Sequence, residues 1–256
     1  MNKKIAIFIA YNAQNTLEEF YKTFPKNRVD EVILVDDASE DHTYEIAKRI
    51  GIRSYKNEKN LGYGGNIKKA ICLALKLGAN IIIDIHPDGE YKPTAVQKAI
   101  DLIHEGEEFV LGNRFTRLNQ PLKNGMYLWK LIPIILLNLI SQTILRAGIN
   151  DYHQGFRVYT RKMLEKLNFE ANSNNYLFSF ELITQAVFHK VKIAQVPVET
   201  SYKGNKRGAS LKNSIEYSLG IFKVILFFLL AKIGFKTKIF QKPVLNINIR
   251  IAKCIL

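Results

Sequence analysis

The sequence predicts an α/β protein with a Rossmann-like, doubly wound and mostly parallel sheet, followed by C-terminal membrane-associated helices. Short, unbroken apolar runs alternate with amphipathic stretches through the first half of the chain. Such runs are typical of strands buried on both faces of a parallel sheet, and their alternation with helical patterns indicates βαβ units. Two long, mostly apolar helical stretches follow in the second half.

The first half is predicted to contain four strands and four helices. The strands lie at residues 4–10, 31–35, 81–85 and 109–111. The helices lie at residues 16–23, 43–50, 65–77 and 94–104. Because ligands of doubly wound sheets bind outside the carboxyl ends of the strands, we expect the site among residues 11–14, 36–41, 84–91 and 112–116.

The second half is predicted to hold a long apolar helix at 124–148, a helix at 177–189, a strand at 192–198 and an apolar helix at 210–233. A short strand is expected at 244–251. A spanning helix needs about 20 mostly apolar residues, but the longest uncharged run has fifteen and Lys223 interrupts the second apolar stretch. We therefore predict that both stretches lie in the membrane interface. The N-terminus is predicted to be a strand and not a signal peptide.

Positive charge is concentrated near the C-terminus. The 256 residues include 37 Lys and Arg against 23 Asp and Glu, a net charge of +14, and residues 202–256 hold eleven basic residues and one acid. This predicts a polyanionic partner or an anionic lipid surface, although lysine-rich composition alone is an alternative. Cys72 and Cys254 match no metal-binding spacing, so two reduced thiols are expected.

Carboxylates follow two of the predicted strands. Asp36 and Asp37 end the second strand, and Asp88 follows the strand at 81–85. Such groups can bind a ribose, a base or a divalent ion, while Asp36 or Asp37 could instead cap the next helix. The turn at 60–66 lacks both the P-loop and the dinucleotide patterns, so its glycines are expected to allow close packing and positive φ.

Seven segments in series resemble the family 2 glycosyltransferases with the GT-A fold. They are IAYN, VDDASEDHT, NLGYGGN, DGEYKP, GNRF, DYHQGFR and VPVET…KRGASLK. The similarity covers about residues 3–235, and the most similar subgroup is the polyprenyl-phosphate (dolichyl-phosphate) sugar synthases. It implies a GT-A domain at 1–235, with a nucleotide-sugar-binding half (1–116) and an acceptor half with interfacial helices (117–235). Residues 236–256 are expected to form a basic tail.

The resemblance assigns the nucleotide-binding residues. The residues that it implies around the nucleotide are Ala10, Tyr11, Asn12, Asp36, Asp37 and Lys68. A basic loop with Lys206, Arg207, Ser210 and Lys212 is expected to cover a phosphate. The glutamate that is common after Tyr-Asn in the family is Ala13 here, so one nucleotide contact is expected to be missing.

The resemblance also assigns a metal site for Mg²⁺ or Mn²⁺. Asp88 matches the second acid of the family's D-x-D motif, His86 stands in place of the first, and Glu90 stands where glutamine is common. Asp88 and Asp151 are the implied catalytic acids. Arg114 and Arg157 are expected to face phosphates, with surface ion pairs as the alternative. His153 is expected to be an ordinary loop residue, and Glu181 a structural support.

The activity implied is inverting, metal-dependent transfer of a hexose from a UDP- or GDP-linked sugar to a polyprenyl (dolichyl) phosphate. The enzyme is expected on the cytoplasmic face of the membrane, as a peripheral or monotopic protein on an anionic surface. One alternative is a transferase that builds a surface polysaccharide or glycan on a sugar hydroxyl. Another is a non-catalytic nucleotide- or polyanion-binding protein. The sequence shows no helix-turn-helix, zinc or RNP pattern, so nucleic acid is not an expected partner.

Overall fold

A seven-stranded sheet is the centre of the computed structural model, which describes residues 2–116, 120–202 and 211–255. The strands are β1 (Lys4–Ala10), β2 (Glu31–Asp36), β3 (Arg53–Lys56), β4 (Ile81–Asp84), β5 (Phe109–Asn113), β6 (Arg157–Thr160) and β7 (Ile193–Pro197). Their order is β3-β2-β1-β4-β6-β5-β7. Only β6 runs antiparallel to its neighbours, and the other pairs are parallel. The predicted α/β class with a mostly parallel sheet is confirmed.

Ten α-helices lie in the described part of the chain. They are α1 (Leu17–Thr23), α2 (Thr43–Arg49), α3 (Tyr63–Lys76), α4 (Val96–His104), α5 (Gln120–Lys123), α6 (Leu128–Leu145), α7 (Arg161–Lys166), α8 (Phe178–Phe188), α9 (Leu211–Lys232) and α10 (Ile247–Ile255). Alternate residues of β1 enter two separate apolar clusters. Ile7 packs with α3, α8 and α9, whereas Phe8 packs with α1 and α4. Helices therefore cover both faces of the sheet, which is why β1 is apolar without interruption.

Two strands lack the apolar pattern that identifies the others. β3 has the polar sequence RSYK at the edge of the sheet, and β6 has the sequence RVYT and begins with a buried arginine. The strand predicted at 244–251 is wrong, because α10 covers most of that range. Ile247 and Ile251 are both buried there, and a spacing of four residues places them on one helical face.

The glycine-rich turn at the start of α3 has the close packing and the positive φ that were expected, and its packing partner is the segment before α8. Gly62 has a φ of +77°, and the amide of Gly64 donates to the Asn174 carbonyl at 2.7 Å. A Cβ atom on Gly64 would lie 2.7 Å from Cβ of Phe178, closer than carbon atoms pack. The absence of a side chain therefore permits the contact between these two segments.

The C-terminal segment packs on α3. Ile239, Phe240, Ile247 and Ile251 are buried in the same apolar cluster as α3 and α8. The prediction of two reduced thiols is wrong, because a disulfide joins Cys72 of α3 to Cys254 of α10. Sequence spacing gave no signal of this pairing, since the two cysteines are 182 residues apart.

Helices α6 and α9 expose much of their apolar surface. Leu128–Leu145 and Asn213–Lys232 are both long and apolar enough to cross a membrane, by length and composition, and 28% and 22% of these windows are buried. The sequence expectation was stricter, because it counted uncharged residues and treated Lys223 as an interruption of the second stretch. Trp129, Leu136 and Leu139 on α6, and Leu219 and Phe222 on α9, are about half exposed or more.

We predict that Cys254→Ser lowers the melting temperature by about 5–10 °C under non-reducing conditions, because it opens a long covalent loop. Differential scanning calorimetry with and without dithiothreitol measures this. Reductant should bring the wild type close to the variant and leave the variant unchanged. Equal melting temperatures without reductant would contradict the prediction.

Candidate active site

The loops that follow β1 and β2 are held together by hydrogen bonds. The amide of Asn12 donates to Ser39 Oγ at 2.8 Å, and the Glu40 amide donates back to Asn12 Oδ1 at 2.9 Å. The Ala13 amide donates to Thr43 Oγ1 at 2.7 Å. These bonds fix the predicted nucleotide-binding segment against the loop after β2.

Two residues in these loops have strained backbone. Asn12 has a φ of +52° and Ala38 a φ of +58°. The left-handed region costs a residue with a Cβ atom about 1 kcal/mol or more, and asparagine tolerates it better than alanine. The cost at Ala38 is offset by Ser39, whose amide and hydroxyl both donate to the carboxylate of Asp36. Hydrogen bonds within the protein therefore hold the loops in this conformation without a ligand.

Asp36 and Asp37 are buried and have different partners. Burial raises the pKa of Asp36, while the hydrogen bonds from Ser39 act in the opposite direction. Asp37 Oδ1 accepts from Asn57 Nδ2 and from the Leu61 amide, each at 2.8 Å. Its Oδ2 atom has no hydrogen-bond donor among the described residues and is not fully buried. Asp36 therefore holds its own loop and does not cap α2, whose N-cap residue is His42, so the capping alternative is wrong for Asp36. Asp37 has an oxygen left for a ligand.

The remaining predicted nucleotide residues are placed as follows. Ala10 is buried and its carbonyl accepts from the Asp37 amide at 2.8 Å, and the Tyr11 side chain beside it is 46% exposed. Lys68 lies elsewhere on α3, where its ammonium donates to the Asn172 carbonyl at 2.8 Å. Lys206, Arg207 and Ser210 lie outside the described residues, as does the side chain of Lys212.

A second group of charges lies buried at the end of β4. Arg157 is fully buried, with Nη1 3.3 Å from Asp84 Oδ2, and its Nη2 donates to Tyr63 Oη at 2.5 Å. His86 turns toward the same carboxylate, with Nε2 3.5 Å from Asp84 Oδ1. Tyr63 packs edge-on against His86 with ring centroids 5.3 Å apart. The surface-pair alternative for Arg157 is therefore wrong, because its partner is an internal carboxylate.

Asp88 differs from these residues because its carboxylate is exposed. Its Oδ1 atom accepts from the Glu90 amide at 2.8 Å, and Thr16 Oγ1 donates to the adjacent Pro87 carbonyl at 2.7 Å. Burial and the charge of Asp88 both raise the pKa of Tyr176. The turn is thus tied to the start of α1, with the carboxylate directed outward.

The predicted metal ligands do not form a coordinating group in this structure. Among the described residues, no three His, Cys, Asp or Glu side chains come together to hold a metal ion. His86 pairs with Asp84, and a cation at Asp84 would lie beside Arg157 and be repelled by it. Of the predicted ligands, Asp88 is the one whose carboxylate could bind a divalent ion. Mg²⁺ is commonly held in this way, by one or two carboxylates together with substrate phosphates.

Arg114 and Asp151 form a buried, two-pronged ion pair behind this site. Arg114 Nε donates to Oδ2 at 2.8 Å and Nη2 to Oδ1 at 2.9 Å. Nη2 also donates to the His153 carbonyl at 2.5 Å, and Nη1 lies 3.3 Å from Tyr202 Oη. Burial alone would raise the pKa of Asp151, but the charge and hydrogen bonds of Arg114 hold it below its ordinary value. The surface-pair alternative is wrong for Arg114 as well.

His153 and Glu181 support this region. The His153 ring stacks on Phe180, and its Nδ1 atom lies 2.9 Å from Tyr217 Oη. Burial lowers the pKa of His153 to about 4, so the ring is neutral near pH 7 and is not an ordinary loop residue. Glu181 accepts from the amide and hydroxyl of Ser173, which agrees with the expected structural support.

Several residues of the site carry no recognisable signal in the sequence. Asn57 holds Asp37, Tyr63 contacts Arg157, and Tyr176 lies near Asp88 with its ring 4.9 Å from that of Tyr63. Asn57 follows β3, the strand that the apolar pattern missed. Recognising β3 would have placed Asn57 at a strand end beside Asp37.

We predict that Arg114→Met lowers the free energy of unfolding by about 3–5 kcal/mol, because Asp151 is left buried without a partner. Arg53→Met is the matched control, since Arg53 pairs with Glu31 at 2.7 Å but is 52% exposed. It should cost less than about 1 kcal/mol. Urea unfolding measures both, and equal effects would contradict the buried pairing.

Comparisons with known proteins identify the family of this chain. The sequence profile of glycosyl transferase family 2 matches residues 5–168. The UDP-N-acetylglucosamine–dolichyl-phosphate N-acetylglucosaminyltransferase of Methanococcus voltae is 27% identical over 77% of this chain and 84% of its own. The polyprenol monophosphomannose synthase of Mycolicibacterium smegmatis is 24% identical over 75% of this chain and 74% of its own.

The fold is also that of a solved glycosyltransferase. Glucosyl-3-phosphoglycerate synthase from Mycobacterium tuberculosis in complex with UDP superposes with a TM-score of 0.67 at 18% identity, over 92% of this chain and 82% of its own. Another structure of that enzyme contains Mn²⁺ and UDP-glucose. The GT-A fold is thereby confirmed, and the match of the family profile to most of the chain shows that the protein is a member of glycosyl transferase family 2.

Proposed function

We propose that this glycosyltransferase moves a hexose from a nucleotide diphosphate sugar to a polyprenyl phosphate, with inversion at the anomeric carbon. The named relatives from Methanococcus and Mycolicibacterium act on dolichyl or polyprenyl carriers. The observation that carries the proposal is that the two buried acids Asp84 and Asp151 are each paired with an arginine.

The acceptor follows from that pairing. A sugar hydroxyl must lose its proton as it attacks, so it needs a general base with a pKa near the working pH. Both oxygens of Asp151 accept from Arg114, and its pKa is lowered, so it is a poor base. A lipid phosphate is already ionised near pH 7 and needs no base. The site therefore suits a phosphate acceptor better than a hydroxyl.

The donor nucleotide is proposed to bind where β1 and β2 end. Asp37 Oδ2 would accept a hydrogen bond from the ribose or the base, and Tyr11 and Asn12 would form the adjacent wall. Because hydrogen bonds already fix Asn12, Ala13 and Ser39, little conformational entropy is lost on binding. Rigid positioning of this kind is a large part of catalysis when two substrates must meet.

Asp88 is proposed to hold Mg²⁺ or Mn²⁺ against the diphosphate. When bound, the ion would neutralise the charge that develops on the leaving nucleotide diphosphate. The acceptor oxygen attacks the anomeric carbon from the opposite face, and the bond to the diphosphate breaks. Arg114 and Arg157 position the surrounding loops through their pairing with the internal carboxylates of Asp151 and Asp84.

The exposed faces of α6 and α9 are proposed to lie in the membrane interface. The two helices pack against each other in part and expose Trp129, Leu136, Leu139 and Leu219. Tryptophan is common at the boundary between water and lipid. Lysines near an anionic leaflet add about 1 kcal/mol each. A peripheral or monotopic enzyme on the cytoplasmic face would meet a lipid-linked acceptor there.

The test of the activity is a donor screen with radiolabelled UDP- and GDP-sugars and Mn²⁺, using a short polyprenyl phosphate or an oligosaccharide as acceptor. We expect label on the lipid, and loss of at least about 100-fold in turnover for Asp88→Asn. Asp101→Asn, an exposed carboxylate on α4, is the matched control and should keep full activity. Label on the oligosaccharide alone would favour the glycan-building alternative, and label on neither acceptor would overturn the proposal.

The membrane proposal is tested by flotation with anionic liposomes at rising salt. We expect binding by the wild type, partial release at high salt, and weaker binding by Leu139→Glu, which places a charge in the apolar face. Lys98→Gln on α4 changes the net charge by the same one unit and should float like the wild type. Absence of wild-type binding at every salt concentration would exclude interfacial attachment.

A further inference from the structure

A cavity of about 530 Å³ lies between α3 and the C-terminal segment. Leu61 and Gly65 of the glycine-rich turn form one wall, and Val244 and Leu245 form part of another. Its volume is within the range of small-molecule binding sites. None of the acids assigned to donor or metal binding lines it.

Five cationic side chains and one acidic side chain line this cavity. The cations are Lys68, Lys69, Lys242, Arg250 and Lys253, and the acid is Glu170. Glu170 is already bound by Arg250, whose Nη2 and Nε donate to it at 2.6 and 2.8 Å. Within the described ranges, none of the four lysines has a carboxylate oxygen within 4.0 Å. The four lysines of the wall therefore form no ion pair within the described ranges, although Glu181 and Glu170 act electrostatically on Lys68.

The concave shape of the cavity increases the electrostatic attraction that these charges exert on an anion. A groove with low-dielectric walls focuses the field of its charges and attracts counter-ions more strongly than a flat surface does. Lys68 is only partly exposed, and burial lowers its pKa even though it donates to the Asn172 carbonyl. Glu181 and Glu170 act in the opposite direction on this pKa, and a bound anion would further offset the cost of the partly desolvated ammonium.

We propose that this cavity is a binding site for a phosphate-bearing anion, separate from the donor site. A diphosphate matches the lysines because each ammonium acts as a point charge with several donors. Asn174 and Gln241 add neutral polar groups to the wall. The phosphate is either free in solution or the headgroup of a lipid, and the apolar Val244 and Leu245 could contact the rest of either molecule.

The fold holds the two sides of this site together. Arg250 and Lys253 lie on α10, and the Cys72–Cys254 disulfide joins α10 to α3, which supplies Lys68 and Lys69. Leu61 lines the cavity and also donates through its amide to Asp37. Binding at the cavity must therefore be measured with the donor site already filled.

The test is isothermal titration of pyrophosphate into the full chain, with uridine at saturating concentration to fill the nucleoside part of the donor site and without divalent ions. A parallel arm uses sedimentation with vesicles of phosphatidylcholine and phosphatidic acid. We expect the Lys69→Gln/Lys253→Gln variant to bind about tenfold or more weakly, because it removes two of the cations. Lys26→Gln/Lys98→Gln removes the same charge from exposed sites elsewhere and should bind like the wild type.

The outcomes separate the two sources of the phosphate. Pyrophosphate binding that is lost in the cavity variant supports a soluble ligand, and loss that is confined to phosphatidic acid vesicles supports a lipid headgroup. The proposal is overturned if the wild type binds neither probe, or if the cavity and control variants bind alike. Circular dichroism of both variants checks folding, and Lys69 and Lys253 make no ion pairs whose loss would unfold the chain.

Discussion

Neutralisation of carboxylates buried at the carboxyl end of the sheet is the interaction on which the site depends. Asp36 is held by Ser39, Asp37 by Asn57 and the Leu61 amide, Asp84 by Arg157 and Asp151 by Arg114. A buried charge without such partners costs several kcal/mol. Each acid therefore dictates the path of the loop that supplies its partner, and these loops form the walls of the site.

The same pairing limits the chemistry that the site can perform. Arg114 holds the pKa of Asp151 below its ordinary value, so this carboxylate organises the site and does not act as a base. Within the part of the chain that the structure describes, Oδ2 of Asp37 and the exposed carboxylate of Asp88 are available to a ligand. These two groups are suited to a nucleotide-sugar donor, whose ribose and diphosphate must be held in place. The site also suits an acceptor that arrives already charged.

Local patterns made much of this predictable from the sequence. The apolar runs of β1, β2, β4 and β5 identify buried strands, and parallel strands bring Asp36, Asp37 and Asp88 to one edge. What the sequence missed depends on contacts between distant residues. β6 pairs antiparallel with β4 although its apolar run is short, and the partner of Arg157 is 73 residues away. Likewise, α10 was predicted as a strand because alternate isoleucines obscured the four-residue spacing that packs it on α3.

The most direct measurement is a crystal structure of the protein with a nucleotide sugar and Mn²⁺. The account predicts the nucleoside against Asp37 and the loops after β1 and β2, with the diphosphate and the ion at Asp88. A nucleotide bound only in the basic cavity between α3 and α10, or a donor site that stays empty at saturating ligand, would contradict it.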